Sequence, residues 1–171
     1  MRTHTSRFEP LDQINQPEDA LAMLSADHQR VTELFEDFQS ALESLSPEQK
    51  SLCDEICDEL EIHTQLEEEI FYPAASRDAS IRPLVEEALD AHAEVKSMIE
   101  QLRNLQPADP QFGASMLQLI DDVERHIDEE ENVLFAEVEK RLGNQLVSLG
   151  HQLEARKREL IETLNPRAQP E

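Results

Sequence analysis

Four histidines interrupt helical stripes of apolar residues. His28, His63, His92 and His126 each stand where Leu or Ile would ordinarily go, with apolar neighbours three or four residues away on either side. Two carboxylates share the same stripes: Glu67 follows His63 by four residues, and Glu130 follows His126 by four. A His at i and a Glu at i+4 lie on one helix face a turn apart, so both can reach the axis of a bundle. A single His on such a face is ordinarily a hydrogen-bonded core residue, and a single Glu a boundary residue reaching water. Four of one and two of the other, at matched depths, require a common partner, because an unpaired polar group costs about 2–7 kcal/mol to bury and a charge costs more. A pair of metal ions meets that need. Two shared carboxylates and two imidazoles per ion give each ion four protein ligands. That leaves room for a bridging oxide or hydroxide and an open position. Nitrogen and oxygen donors without thiolate suit iron or manganese; zinc fits the donor types but rarely needs a two-metal cage of this kind.

The constellation is repeated. His28 and His63 are 35 residues apart, His92 and His126 are 34 apart, and the first half maps onto the second with a shift of 63 or 64. The segment HTQLEEEIFY from His63 parallels HIDEEENVLF from His126, each with a His, adjoining acids and an apolar-aromatic end. The chain therefore contains two copies of a helix hairpin. Glu68 and Glu131 adjoin the proposed bridging residues. They are read first as surface acids, with ligands or outer hydrogen-bonding groups as the alternatives. Tyr72 and the phenylalanines Phe35, Phe38, Phe71 and Phe135 are read as core, the alternative for Tyr72 being a hydrogen bond to a bound ligand.

Long helices must position these groups. Asn15, Pro17, Glu18 and Asp19 predict a helix start, with a capping side chain, a proline that needs no N–H partner and acids at the positive end. The first stripe is Leu21, Leu24, His28, Val31, Phe35, Phe38 and Leu42. Ser46-Pro47-Glu48 opens a second helix, with Leu52, Ile56, Leu60, His63, Glu67, Ile70 and Ala74 on its stripe. A third, from about Ser80 to Leu105, carries Ile81, Val85, Ala88, His92, Val95, Ile99 and Leu102, and the Pro107–Pro110 segment ends it. The fourth carries Phe112, Met116, Leu119, Val123, His126, Glu130, Val133 and Glu137, with Gly143 as its stop. A fifth helix, 144–165, has a leucine stripe (Leu146, Leu149, Leu153, Leu160, Leu164) that must pack on the bundle or on a second copy of the chain. The expected fold is thus all-α: an up-down-up-down four-helix bundle over 17–143 with an additional C-terminal helix, an irregular leader at 1–16 and a tail at 166–171.

Composition agrees. Three Gly, one Tyr and no Trp in 171 residues favour helix over sheet. Fifteen basic against 38 acidic residues give a net charge of −23, which repels phosphate backbones and makes nucleic acid an unexpected partner. The sequence has no membrane-spanning run. Its N-terminus has two Arg but no apolar core, so no secretory signal is expected and the cytoplasm is the default location. Cys53 and Cys57, four apart on one helix, are read as small buried hydrophobes rather than a redox pair.

The pattern His28, His63-x3-Glu67, His92, His126-x3-Glu130 on four antiparallel helices resembles the hemerythrin-like HHE cation-binding domain, over about residues 17–142. The resemblance implies a non-haem di-iron centre with the four His as terminal ligands and Glu67 and Glu130 as bridges. Oxygen-carrying hemerythrins have a His-x3-His pair on the third helix and end in His-x4-Asp; here Lys96 stands four after His92, and Glu130 four after His126. The four-His, two-Glu pattern is closer to the di-iron domain of iron–sulfur cluster repair proteins, without the Cys-bearing N-terminal domain of that group. Lys96 is read as a snorkelling surface residue. With one imidazole fewer than an oxygen carrier, both metals are expected to keep open or labile positions. The expected function is therefore binding of, or reaction with, O2, peroxide or nitric oxide, in sensing or stress protection. Iron sensing, storage or delivery is the alternative, and a purely structural bundle is the third.

Overall fold

The computed structural model describes residues 18–164. The helix-start residues Asn15 and Pro17, the leader and the Asn165-Pro166 stop lie outside these. Helix α1 spans Ala20–Glu43, and its first turn is capped by Asp19, which accepts from the Ala22 N–H at 2.9 Å. Helix α2 comprises Gln49–Leu66, a π-helical turn Glu67–Phe71 and a last turn Tyr72–Ala75. Helix α3 spans Arg82–Arg103. Helix α4 comprises Phe112–Glu129, a second π-helical turn Glu130–Leu134 and Phe135–Leu142. Gly143–Gln145 forms a single 3-10 turn, and α5 spans Leu146–Leu164. Gly143 has φ −51°, so the break is a tightened turn and not the left-handed cap expected from its sequence.

Consecutive helices pack against one another, and α4 closes back onto α1, giving the up-down-up-down bundle. The stripes explain the packing. Every stripe residue of α3 is buried, and on α1 all but the terminal Leu21 and Leu42 are. In α2 and α4 the sequence pattern slips after the glutamate, although Ala74 of the predicted stripe is buried along with Ala75. Phe71, not Ile70, is the fully buried residue, and Leu134 and Val138 replace Val133 and Glu137 on the core face. The π turn is the cause: an i→i+5 turn inserts one extra residue and moves everything after it by one position. The insertion occurs at the same place in both halves, immediately at Glu67 and at Glu130.

The apolar interior is divided in two. One cluster joins Val31, Phe35, Phe38, Cys53, Ile56, Cys57 and the distal residues of α3 and α4. The other joins Leu24, Leu66, Phe71 and Leu134 to the leucines of α5. Cys53 and Cys57 are free and fully buried, as expected of small hydrophobes.

Helix α5 packs on its own bundle, against α1 and α2. Leu146, Leu149, Leu153 and Leu160 are buried there, while Leu164 is exposed. It packs tightly on the start of α1 at Gly150, where a Cβ would lie 2.3 Å from the Glu18 carbonyl oxygen. Gly150→Ala must therefore displace α5 from the start of α1. The expected cost is about 1–3 kcal/mol, read as a lowered midpoint in denaturant unfolding of the metal-free protein.

Candidate metal centre

The four stripe histidines and the two stripe glutamates converge in one layer between the two apolar clusters, and all six are buried. His28 and His63 face each other through their Nε2 atoms at 3.0 Å, and His92 and His126 do so at 3.1 Å. Glu67 spans the two pairs: Oε1 lies 3.3 Å from His63 Nε2 and Oε2 lies 3.2 Å from His92 Nε2. Glu130 also reaches both, with Oε2 at 3.3 Å from His28 Nε2 and 3.6 Å from His126 Nε2. Donor atoms of His28, His63, Glu67 and Glu130 fall within 4.8 Å of one another, as do those of Glu67, His92 and His126.

Outer groups hold the imidazoles in this orientation. Glu131 accepts from His28 Nδ1 at 2.7 Å, and Glu68 accepts from His92 Nδ1 at 3.0 Å. With Nδ1 so engaged, Nε2 is left as the inward donor atom, the arrangement that fixes tautomer and ring direction in metal-binding histidines. These two acids occupy equivalent places in the repeat. They are therefore more than the surface acids the sequence suggests: partly exposed, each is tied to a buried ring. The doubled Glu shared by both halves was the available signal. Lys96 is half-exposed, and its Nζ donates to the other oxygen of Glu68 at 2.5 Å, so it neutralises the acid that orients His92. His63 Nδ1 faces Asp27 at 3.6 Å, and Asp27 in turn is paired with Lys157 of α5. Asp27 lies off the apolar stripe, and the sequence pattern did not single it out.

Tyr72 is the further site residue. Its hydroxyl lies 2.8 Å from Glu130 Oε1, 3.2 Å from Glu67 Oε2 and 3.1 Å from His92 Nε2. Five residues after Glu67, on a regular helix it would point away; the π turn brings it back over the carboxylates. Its repeat counterpart, Phe135, stacks on His28 at a centroid distance of 5.9 Å.

Charge is shared unevenly among these groups. Burial opposes protonation of His63, but the Glu67 carboxylate and then Asp27 outweigh it and raise its pKa to about 10. Burial lowers His126 to about 4, against the pull of Glu67. Burial also favours neutral Glu67, yet His63 and His92 hold it well below the usual carboxylate range. Glu130 is raised by burial and by the Glu67 charge. Burial, followed by the two glutamates, pushes Tyr72 up, so it stays a phenol and a donor.

The donor set fits metal. Glu67 Oε1 and Glu130 Oε2 are buried and accept no hydrogen bond among the described residues. Each such orphan costs about 1–3 kcal/mol, and a cation between the histidine pairs would satisfy both. All-α topology, a buried His/Glu layer and internal hairpin symmetry together define a cation-binding helical bundle.

The sequence profile of the hemerythrin HHE cation-binding domain matches residues 19–138. The chain belongs to that family. The crystal structure of a hemerythrin HHE cation-binding domain-containing protein from Mycobacterium kansasii superposes with a TM-score of 0.72 at 25% identity, covering 89% of this chain and 94% of that one. Over 124 residues the chain is also 30% identical to a DNA nickase of Nostoc sp. (strain PCC 7120); the match takes in 72% of this chain but only 34% of that protein.

To serve as a ligand His63 would have to lose its proton, so metal uptake there would displace a proton at neutral pH. Apparent affinity is expected to rise about tenfold per pH unit from pH 6.5 towards 10, measured by competition with a chelator. The same shifts bound the metal-free fold. The His63 contribution is complete below its ordinary 6.5 and lost as pH rises through about 10; that of neutral His126 is complete above 6.5 and lost as pH falls through about 4.

Proposed function

We propose that the chain is a non-haem di-iron protein that binds or reacts with O2, peroxide or nitric oxide, in sensing or in protection against oxidative or nitrosative stress. His28 and His63 would hold one iron, His92 and His126 the other, and Glu67 and Glu130 would be shared. The observation that supports this reading is Glu67, whose two oxygens address the two histidine pairs while Oε1 has no other partner among the described residues. The irons, when bound, would supply a Lewis acid and a redox centre.

The protein's own residues set the rest. The wall on one side of the histidine layer is apolar, with Val31, Leu60, Val95, Val123 and Ile127 around a void of about 10 Å³. Space of that size is about what a single water molecule needs, so this side of the layer has no room for a bulky substrate without side-chain movement. On the opposite side the Tyr72 hydroxyl is placed to donate a proton or a hydrogen bond at the shared carboxylates. Glu68 and Glu131 keep His92 and His28 aligned, and Lys96 holds Glu68. A role on DNA is disfavoured by the net charge of −23, which would have to be overcome at a phosphate backbone.

Protein loaded anaerobically should hold about two irons per chain. Adding O2, peroxide or nitric oxide to the reduced form should change its ligand-to-metal charge-transfer bands within seconds to minutes. A Glu67→Ala, Glu130→Ala double variant should lose both the metal and the bands. Bound iron that responds to none of the three would contradict the redox reading, and wild-type protein that binds no metal would contradict the site itself.

A further inference from the structure

The two halves of the bundle are alike at the histidines but not on their outer faces. In the first half the groove beside His63 is lined by Ala20, Met23, Leu24, Leu66, Ile70 and Phe71, and the leucines of α5 fill it. The repeat places Leu84, Glu87, Ala88, Glu129, Val133 and Leu134 at the matching positions beside His126. That second groove is open: a cleft of about 280 Å³ lined by these residues together with His126 and Glu130. Two apolar residues, Met23 and Leu66, have become the exposed acids Glu87 and Glu129, and Leu24 has become Ala88. A groove so changed is a poor seat for another leucine-striped helix and a good one for a cation. The half-site is also less braced. Ala91 stands where Asp27 would be, so His126 has no equivalent of the Asp27–Lys157 pair that backs His63.

We propose that this cleft between α3 and α4 is the port through which a divalent metal ion reaches the cluster, with Glu87 and Glu129 as its transient ligands at the mouth. The inference rests on the metal-binding reading above. At the floor of the cleft is Glu130, which is 2% exposed and whose Oε2 has no hydrogen-bond partner among the described residues. An incoming ion thus passes from two exposed carboxylates to a buried one already within reach of His28 and His126. Arg125, the nearest cation on α4, is paired with Asp122 and leaves Glu129 outside any ion pair among the described residues. A second opening beside His28, lined by Glu33, Glu36 and Glu131, does not reach Glu67 or Glu130, and there Glu131 is already engaged by the His28 ring.

The test is stopped-flow uptake of Co(II) by the metal-free chain, followed through its visible ligand-field bands. Glu87→Gln with Glu129→Gln should slow uptake about tenfold or more and flatten its salt dependence, because focusing by a charged cleft raises association rates by that order. The final amount bound should be unchanged. Ala88→Leu, which restores the residue of the filled half, should slow uptake as well without altering the acids. Glu33→Gln with Glu36→Gln, the same charge change at the other opening, should leave the rate as it is. Unaltered rates in the first two variants, or slowing by the third to the same extent, would overturn the port while leaving the metal site standing. Wild-type protein that takes up no Co(II) would overturn both.

Discussion

Two carboxylates and four imidazoles buried in one layer of a helical bundle are the constraint on which this structure turns. Each group is expensive to bury alone. They are tolerated because every imidazole faces a carboxylate or another imidazole, and because Tyr72 donates into the middle. Even so, Glu67 and Glu130 each keep one oxygen without a hydrogen-bonding partner among the described residues. A bundle assembled only for stability would place Leu at these positions and gain burial energy instead of losing it.

The surrounding architecture follows from that layer. The apolar core is cut in two by it, and each part must be completed separately. The distal part is closed by the four helices alone, whereas the proximal part draws on the leucines of α5. The π turns at Glu67 and Glu130 belong to the same solution. They let a carboxylate sit in the layer while the chain beyond returns an aromatic residue, Tyr72 or Phe135, to the histidines. Outside the layer, Glu68 and Glu131 fix ring orientation by hydrogen bonds, Asp27 places a charge 3.6 Å from His63, and Lys96 and Lys157 hold two of those acids. The chain of support thus runs from a surface lysine, through a partly buried acid, to a fully buried imidazole.

Much of this was legible in the sequence. The six inward residues announced themselves because polar side chains at helical spacing on an apolar stripe are conspicuous, and because the second half repeats the first. The helices were legible for the same reason, with α3 matching its stripe residue by residue. What escaped was whatever depends on backbone register. A straight-helix pattern cannot show an inserted residue, so the stripe carries Ile70, Val133 and Glu137 where the core face holds Phe71, Leu134 and Val138; Phe71 and Tyr72 are core as expected, and what the pattern could not show is the Tyr72 hydroxyl aimed at both glutamates. Asp27 escaped because its importance comes from α5, far along the chain, and Glu68 and Glu131 because half-exposed acids are ordinary in a chain of such negative charge. The seat of α5 was undecidable from its leucines; Gly150 resolves it by permitting contact with the start of α1.

In the proposed centre Glu67 and Glu130 jointly hold two metal ions between two histidine pairs. Anomalous diffraction at the iron edge from crystals of the iron-loaded protein tests it most directly. Two resolved peaks are predicted, one next to His28 and His63 and the other next to His92 and His126, both within bonding distance of the two glutamates. A single peak, or peaks seated on Glu68, Glu131 or the exposed acids instead, would contradict it.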